Sequence, residues 1–249
     1  MKTAIEKMGG DVDAVGVSSA GCYIDNKTRA ASLFIKVNKE DFDRKVKTIY
    51  IDVVKQLEQE LGHEIPLIVA NDGDVTALAG ALDLKDNCVL GIAMGTSEAG
   101  GYVDPEGNIT GWLNELAFVP VDFNEEAMVD EWSGDYGCGV KYFSQDGVIK
   151  LAPYAGIELD ESLSPAEKLK VVQGLMEKDD ERAANIYDTI GTYFGYAIAF
   201  YSEFYDIKRL LLLGRVTSGE GGALIVEKAK EVLAKEFPEF SDINITMPD

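Results

Sequence analysis

The stretches Ala70-Asn71-Asp72-Gly73-Asp74 and Met94-Gly95-Thr96-Ser97-Glu98-Ala99-Gly100-Gly101 decide the fold class of this chain. Each follows an apolar run, Ile65 to Ala70 and Cys88 to Ala93, that has the length of a buried strand. Ligands of open α/β sheets bind at the carboxyl ends of strands. The sequence therefore predicts an α/β protein with a carboxylate after one strand and a Gly-Thr turn after the next.

The composition is that of a folded protein with strong negative charge. The chain has 249 residues, of which 46% are hydrophobic and 27% charged, and its net charge is −21. Because phosphate backbones need a basic face, no nucleic-acid partner is expected. No apolar run reaches the roughly 20 residues of a membrane span, and the first residues lack the apolar core of a secretory signal. We expect neither a membrane partner nor secretion.

The cysteines and the single histidine restrict the chemistry further. Cys22, Cys88 and Cys138 are widely spaced and odd in number, which fits a reduced, cytoplasmic compartment. His63 is the only histidine, so a multi-histidine metal site is excluded. Cys138 has no neighbouring ligand in sequence, so we interpret it as a structural thiol and not as part of a zinc site.

Hydrophobic periodicity predicts alternating strands and helices in two lobes, 1–72 and 73–249, the first a partial small α/β lobe and the second a large one. A hairpin is expected at 88–103, where Gly95 to Glu98 join two strands. Further elements are expected at Asp13 to Ser19 (strand), Asp41 to Leu61 (helix ending at Gly62), Asp74 to Leu82 (helix), Asn108 to Trp112 (strand), Asn124 to Val129 (helix), 180–204 (helix) and Arg209 to Leu213 (strand).

Asp72 is the candidate catalytic residue. A carboxylate directly after a buried strand can accept a proton from an attacking hydroxyl group. The alternative is that Asn71 or Asp72 only caps the following helix, although Asp74 could also cap it and would leave Asp72 free.

Two glycine-containing turns are candidate phosphate sites. Gly95-Thr96 could present backbone N–H groups and a hydroxyl to phosphate, although a hairpin turn without a ligand has the same pattern and no Walker A lysine follows. Gly214 to Gly222 joins a strand to a helix, and a helix N-terminus attracts anions. This segment could equally be a flexible loop.

Glu115 is a candidate sugar contact, since it follows an apolar segment in which Trp112 could offer a stacking face. An ordinary surface glutamate beside a core tryptophan is the alternative interpretation.

In their order, these segments resemble the ROK family of sugar kinases and sugar-responsive repressors, part of the actin/hexokinase/Hsp70 ATPase superfamily. Asn71-Asp72 resembles the family's Asn-Asp motif, and Leu90 to Thr96 resembles its second phosphate motif. Asn114-Glu115 is similar to its Glu-x-Gly-His sugar contact, and Leu211 to Gly214 to the strand and turn beside adenosine. Val15 to Gly21 resembles a small-lobe strand and turn.

The resemblance implies a ribonuclease H-like (actin-like ATPase) two-lobe fold with mixed sheets flanked by helices. It implies that Asp72 is the general base for transfer of the ATP phosphoryl group to a sugar hydroxyl. Asn71, Asn114 and Glu115 would bind the sugar, and Gly95, Thr96 and Gly214 would bind the nucleotide, with Mg²⁺ bridging the phosphates. It also implies self-association, as a homodimer.

The chain departs from the family pattern at several points. The family's Asp-x-Gly-x-Thr phosphate hairpin and its final helix are not found, the small lobe is therefore incomplete, and the motif histidine is replaced by Phe118. The zinc cysteine cluster is missing, so no structural zinc is expected. These departures favour an alternative function, that of a non-catalytic sugar-binding or regulatory protein on the same fold.

Overall fold

A computed structural model describes residues 2–247, apart from the side chain of Ser32. These residues form two compact units. The first comprises the chain up to Val75 together with Gly111–Leu113, and the second comprises Thr76–Thr110 and the chain from Asn114 onward. The expected boundary at residues 72–73 lies in the first turn of a helix whose residues are shared between the two units.

The first unit is built on two short sheets. Its elements are α1 (Lys2–Lys7), β1 (Val15–Ser18), β2 (Cys22–Ile24), β3 (Lys27–Ala30), α2 (Lys39–Asp41), a π-helix (Phe42–Val46), α3 (Ile49–Leu61) and β4 (Leu67–Ala70). Strands β1 and β4 pair in parallel, with Val15 opposite Leu67, while β2 and β3 form an antiparallel hairpin. Apolar residues of α1, α3 and β4 pack together around Val54 and Leu57.

The predicted helix over 41–61 is interrupted, but its end is confirmed. Gly62 adopts φ 80° and donates its N–H to the Glu58 carbonyl oxygen, so it terminates α3 as a left-handed C-cap. Directly after β3, the chain forms a 3₁₀ turn at Ser32–Phe34.

The second unit contains a four-stranded mixed sheet. Its strands are β5 (Val89–Met94), β6 (Glu98–Val103), β7 (Arg209–Leu213) and β8 (Asn244–Thr246), in the order β6-β5-β7-β8. Strands β5 and β6 are antiparallel, whereas β5, β7 and β8 run in parallel. Because β5 and β7 are adjacent and parallel, the turns that follow Met94 and Leu213 lie at the same edge of this sheet.

Helices supply the rest of the second unit: most of α4 (Asp72–Leu84), α5 (Gln145–Leu151), α6 (Pro165–Met176), α7 (Glu181–Tyr201) and α8 (Glu220–Glu236). Helices α7 and α8 approach closely at two glycines four residues apart on α7. A Cβ atom on Gly191 would lie 2.8 Å from the Ile225 carbonyl oxygen, and one on Gly195 would lie 2.6 Å from the Val232 Cβ. No helix among residues 2–247 is both long and apolar enough to span a membrane.

Two predicted elements are wrong. Residues 124–129 form turns and not a helix, because Val129 pairs with Tyr136 in a bridge. Residues 108–112 form no strand and contribute only a single bridge, between Ile109 and Val103. Both errors occur where few side chains are buried, so the apolar pattern carries little information about the backbone.

Candidate functional site

Asp72 occupies the first residue of α4, directly after β4. The Oδ1 atom of Asn71 accepts a hydrogen bond from the Gly73 N–H at 2.7 Å, and its carbonyl oxygen accepts one from Val75. Asn71 therefore caps the helix, and Asp74 is buried within its first turn. The carboxylate of Asp72 is exposed and accepts a hydrogen bond from the Gly73 N–H at 3.1 Å. Negative charge at this position also interacts favourably with the helix dipole.

The turn after β1 lies beside Asp72 within the first unit. Asn71 donates from Nδ2 to the Gly21 carbonyl oxygen at 2.9 Å, which ties this turn to the start of α4. Tyr23 donates its hydroxyl proton to Ser19 Oγ at 2.9 Å. Burial first, and the nearby Asp72 charge among smaller causes, raise the pKa of Tyr23. The strand-turn segment at Ser18 to Gly21 and the Asn-Asp pair thus meet in space.

The Gly95-Thr96 turn lies at the carboxyl end of β5. Gly95 accepts a hydrogen bond from the Gln145 N–H at 2.8 Å, so the start of α5 fixes the turn, and its own N–H donates to Ser97. The side chains of Thr96 and Ser97 are exposed. The turn is therefore fixed by backbone hydrogen bonds and carries two exposed hydroxyl groups, of which that of Ser97 donates to the Glu98 carbonyl oxygen at 3.5 Å.

A second turn, which begins at Gly214 after β7, lies at the same edge of the sheet. The φ of Gly214 is 113°, and a Cβ atom there would lie 2.3 Å from the carbonyl oxygen of Met94. Only glycine allows this contact between the two chain segments. Gly95, Thr96 and Gly214, which were predicted to bind one ligand, are therefore neighbours at one sheet edge.

Several groups that follow β5 and β7 could donate hydrogen bonds to a phosphate, namely the hydroxyls of Thr96, Ser97 and Ser218, the exposed guanidinium of Arg215 and the N-terminus of α8. The exposed carboxylate of Glu220, the first residue of α8, would oppose a phosphate there. Among residues 2–247 there is no group of three or more His, Cys, Asp or Glu that could hold a metal ion. Mg²⁺ in nucleotide sites is held largely by phosphate oxygens and water, so such a group is not required.

Asn114 and Glu115 lie at a turn against β6. Gly100 makes room for this turn, because a Cβ atom there would lie 2.9 Å from Leu116 and 3.2 Å from the Asn114 carbonyl oxygen. The Oδ1 atom of Asn114 accepts a hydrogen bond from the Tyr205 hydroxyl at 2.9 Å, while Glu115 is exposed. The turn therefore presents a carboxylate from a fixed backbone. Trp112, the expected stacking residue, belongs to the first unit.

Glu98 is a feature that the sequence reasoning missed. It is 5% exposed, and neither carboxyl oxygen has a hydrogen-bond partner among residues 2–247. Burial raises its pKa to about 8. The sequence does contain a signal for this burial. Side chains along a strand alternate between its two faces, and Glu98 lies on the same face of β6 as the buried Gly100 and Tyr102.

A second missed feature is a buried lysine that holds the segment 130–146. The Nζ atom of Lys141 lies 2.8 Å from Glu131, 2.8 Å from Asp146 and 3.3 Å from Asp130, and its side chain is 4% exposed. Burial would lower the pKa of Lys141, but hydrogen bonds to Asp146 and Glu131 more than offset this and raise it. Cys138 is completely buried nearby in sequence, as a structural thiol should be.

Similar folds occur among solved structures. The ROK hexokinase from Thermus thermophilus superposes with a TM-score of 0.69 at 18% identity, covering 98% of this chain and 76% of that one. A ROK family glucokinase from Streptomyces griseus, in complex with glucose and AMPPNP, gives a TM-score of 0.61 at 17% identity, with 98% and 80% coverage.

A regulator has the same fold. A ROK family transcriptional regulator, a homologue of the E. coli MLC protein, gives a TM-score of 0.69 at 15% identity and covers 98% of this chain, which spans 60% of the regulator. No family model matches this sequence, and no curated protein matches it. The chain therefore has the actin-like ATPase fold of the ROK kinases and regulators, as its motifs predicted.

Proposed function

We propose that this protein transfers a phosphoryl group from ATP to a sugar hydroxyl. The observation that carries the proposal is the contact of Gly214 with Met94, which joins two turns of suitable chemistry at one edge. It is supported by the fold shared with a hexokinase and with a glucokinase crystallised with glucose and a nucleotide analogue.

In this proposal, Asp72 accepts the proton of the attacking hydroxyl group on a carboxylate oxygen. Asp72 directly follows β4 and is exposed, so its carboxylate is accessible to a ligand. Asn71, Asn114 and Glu115 hold the sugar hydroxyls. Hydrogen bonds that orient the sugar hydroxyl group toward the base lower the entropic cost of reaching the reactive geometry.

The nucleotide would be held by Gly95, Thr96 and Gly214, through the backbone and the Thr96 hydroxyl. ATP would supply the phosphoryl group. Mg²⁺ bound with it would neutralise part of the charge of the phosphates. Exclusion of water from the site would protect ATP from wasteful hydrolysis.

The test is ADP release from Mg·ATP across a panel of hexoses and amino sugars, with sugar affinity measured separately by calorimetry. Asp72→Asn should lower turnover by about 100-fold or more, the usual contribution of a general base, and leave sugar affinity nearly unchanged. Asp83→Asn is the matched control, since Asp83 is exposed on the same helix. Equal activity of Asp72→Asn and the original protein would remove Asp72 from the mechanism.

The second candidate is a non-catalytic sugar-binding or regulatory protein, which the fold of a transcriptional regulator and the replacement of the motif histidine by Phe118 favour. Sugar binding without sugar-dependent ADP release would select this function. The expected homodimer is tested independently by light scattering over a range of protein concentrations.

A further inference from the structure

Glu98 is directly attached to one of the two turns in the second unit that carry candidate site residues. It is the first residue of β6 and pairs across the hairpin with Met94, the last residue of β5. The turn between them, residues 95–97, is closed by a hydrogen bond from the Gly95 N–H to the Ser97 carbonyl oxygen at 3.0 Å. Any movement of Glu98 is therefore passed directly to the turn that carries Thr96.

The side chain of Glu98 also packs beside the second turn, residues 114–116. A Cβ atom on Gly139 would overlap Glu98 Oε2 and would lie 3.0 Å from the Leu116 carbonyl oxygen, so these two oxygen atoms lie close together over Gly139. The Leu116 N–H donates to the Asn114 carbonyl oxygen at 3.0 Å, which closes the turn that carries Glu115. One carboxyl group thus connects the two turns.

This carboxyl group is not stabilised as an anion. The side chain of Glu98 is 5% exposed, and no donor among residues 2–247 reaches either carboxyl oxygen. An ionised carboxylate in such a place loses its hydration without gaining hydrogen bonds in return, which is strongly unfavourable. The observed position of the side chain is therefore that of a neutral carboxyl group.

The titratable groups on the elements around Glu98 do not compensate its ionisation. From α7, Tyr201 contributes a buried hydroxyl group, whose pKa is raised by burial first and by the charge of Glu98 second. Next to Gly139 in sequence, the Cys138 thiol is buried and its pKa is raised by burial. The Lys141 ammonium group is paired with carboxylates of other residues. An ionised Glu98 therefore favours a conformation in which its carboxylate reaches water.

The 95–97 turn offers the carboxylate a path to water. Its Thr96 and Ser97 side chains are already exposed, so the turn can move without unpacking the core. Openings of this local kind cost less free energy than unfolding of the whole protein. Because the carboxyl group of Glu98 packs on Gly139 beside the Leu116 carbonyl group, its departure also removes a support of the 114–116 turn.

We propose that Glu98 is a positioning residue that holds the 95–97 and 114–116 turns in place while it is protonated and releases them when its proton passes to solvent. The placement of Thr96 and Glu115 then depends on pH through a residue that touches no ligand. The effect on ATP and sugar rests on the proposed function, whereas the movement of the turns does not.

Hydrogen exchange of the full chain at pH 6, 7 and 8 measures this movement. The reporters are the amide of Gln145, which donates to the Gly95 carbonyl oxygen at 2.8 Å, and the amide of Leu116. Glu98 has its ordinary pKa of 4.5 in the open state and a pKa of about 8 in the closed state. Linkage predicts that the protection factors of both amides fall by about 50-fold from pH 6 to pH 8.

Two variants and one further amide serve as controls. Glu98→Gln keeps the shape of the side chain but does not ionise, so its protection factors should stay constant. Glu106→Gln, at an exposed glutamate, should behave like the original protein. The Phe237 amide, which donates to the Leu233 carbonyl oxygen at 2.9 Å at the end of α8, should keep a constant protection factor in all three proteins.

Two results would overturn the positioning role. One is protection at both turns that is constant from pH 6 to pH 8 or that falls equally in Glu98→Gln. The other is a fall that depends steeply on added urea, because it would show that Glu98 ionises only when the whole protein unfolds. A fall that is insensitive to urea and absent from Glu98→Gln is the expected result.

Calorimetry of Mg·ATP binding at pH 8, in two buffers of different ionisation enthalpy, tests the effect on the nucleotide. We expect uptake of about half a proton by the original protein and none by Glu98→Gln, since Glu98 is half ionised at this pH before binding. Binding without proton uptake would contradict the effect on ATP. Absence of ATP binding would contradict the proposed function, and the exchange measurement decides the positioning role in either case.

Discussion

Replacing the buried carboxyl group of Glu98 by an amide should stabilise the protein, and increasingly so at higher pH. The side chain lies in the second unit, with a carboxyl oxygen so close to Gly139 that a Cβ atom there would be 2.4 Å from it. The titratable group that faces it is the buried hydroxyl of Tyr201, whose pKa is raised well above its usual range by burial first and by Glu98 second. Because burial penalises the ionised form and no donor among residues 2–247 reaches either carboxyl oxygen, the folded protein favours the neutral form of Glu98.

The magnitude follows from the two ionisation states. In the unfolded chain Glu98 ionises near its ordinary value of 4.5, whereas in the folded protein its pKa is about 8. The unfolded state therefore holds fewer protons between these values, and stability falls as the pH rises through this window. Linkage gives a cost of about 2 kcal/mol at pH 6 and about 4 kcal/mol at pH 8.

Urea denaturation of the original protein and of Glu98→Gln at pH 5, 6, 7 and 8 measures this effect. The amide has nearly the same shape and does not ionise, so the gain in unfolding free energy should grow by about 2 kcal/mol between pH 6 and pH 8. That growth corresponds to a further rise in Tm of about 4–8 °C. Glu106→Gln, at an exposed glutamate, should show no such growth. Parallel stability curves for the original protein and Glu98→Gln would refute the reasoning.

Three further substitutions test particular contacts. Lys141→Met should lower the free energy of unfolding by about 3 kcal/mol, because the substitution leaves the buried Asp130 without its cation. Added salt should not restore the lost stability. Chemical denaturation at low and high salt measures both effects. Gly214→Ala should lower the free energy of unfolding by about 2 kcal/mol or more and weaken nucleotide affinity, since the Cβ atom of the alanine would overlap the Met94 carbonyl group. Unchanged nucleotide binding in calorimetry would show that this turn is not part of the nucleotide site. Asn26→Ala should lower the free energy of unfolding by about 2 kcal/mol, because Asn26 accepts a hydrogen bond from the Val69 N–H and donates one to the Leu67 carbonyl oxygen. Hydrogen exchange at the Val69 amide should accelerate in this variant. Unchanged protection of that amide would contradict the prediction.

The sequence was sufficient where the core imposes a pattern. The apolar runs ending at Ala70, Met94 and Leu213 are strands, and Gly62 ends α3 as its C-cap. These signals are local, since burial of a strand or a helix face and the capping of its end involve residues close in sequence. The same signals carried the resemblance to the ROK fold through their order along the chain.

The sequence alone determined the alternation of strands and helices, the turns that follow β4, β5 and β7, and the candidate residues at those turns. Tertiary structure decided which of these residues meet: that Gly214 lies on Met94, that Asn71 is tied to the turn at Gly21, and that Trp132 lies outside the core on Phe118. It also decided that Glu98 is buried without a partner among residues 2–247. The physical reason is that these contacts join residues distant along the chain, and neither periodicity nor capping carries information about such pairs.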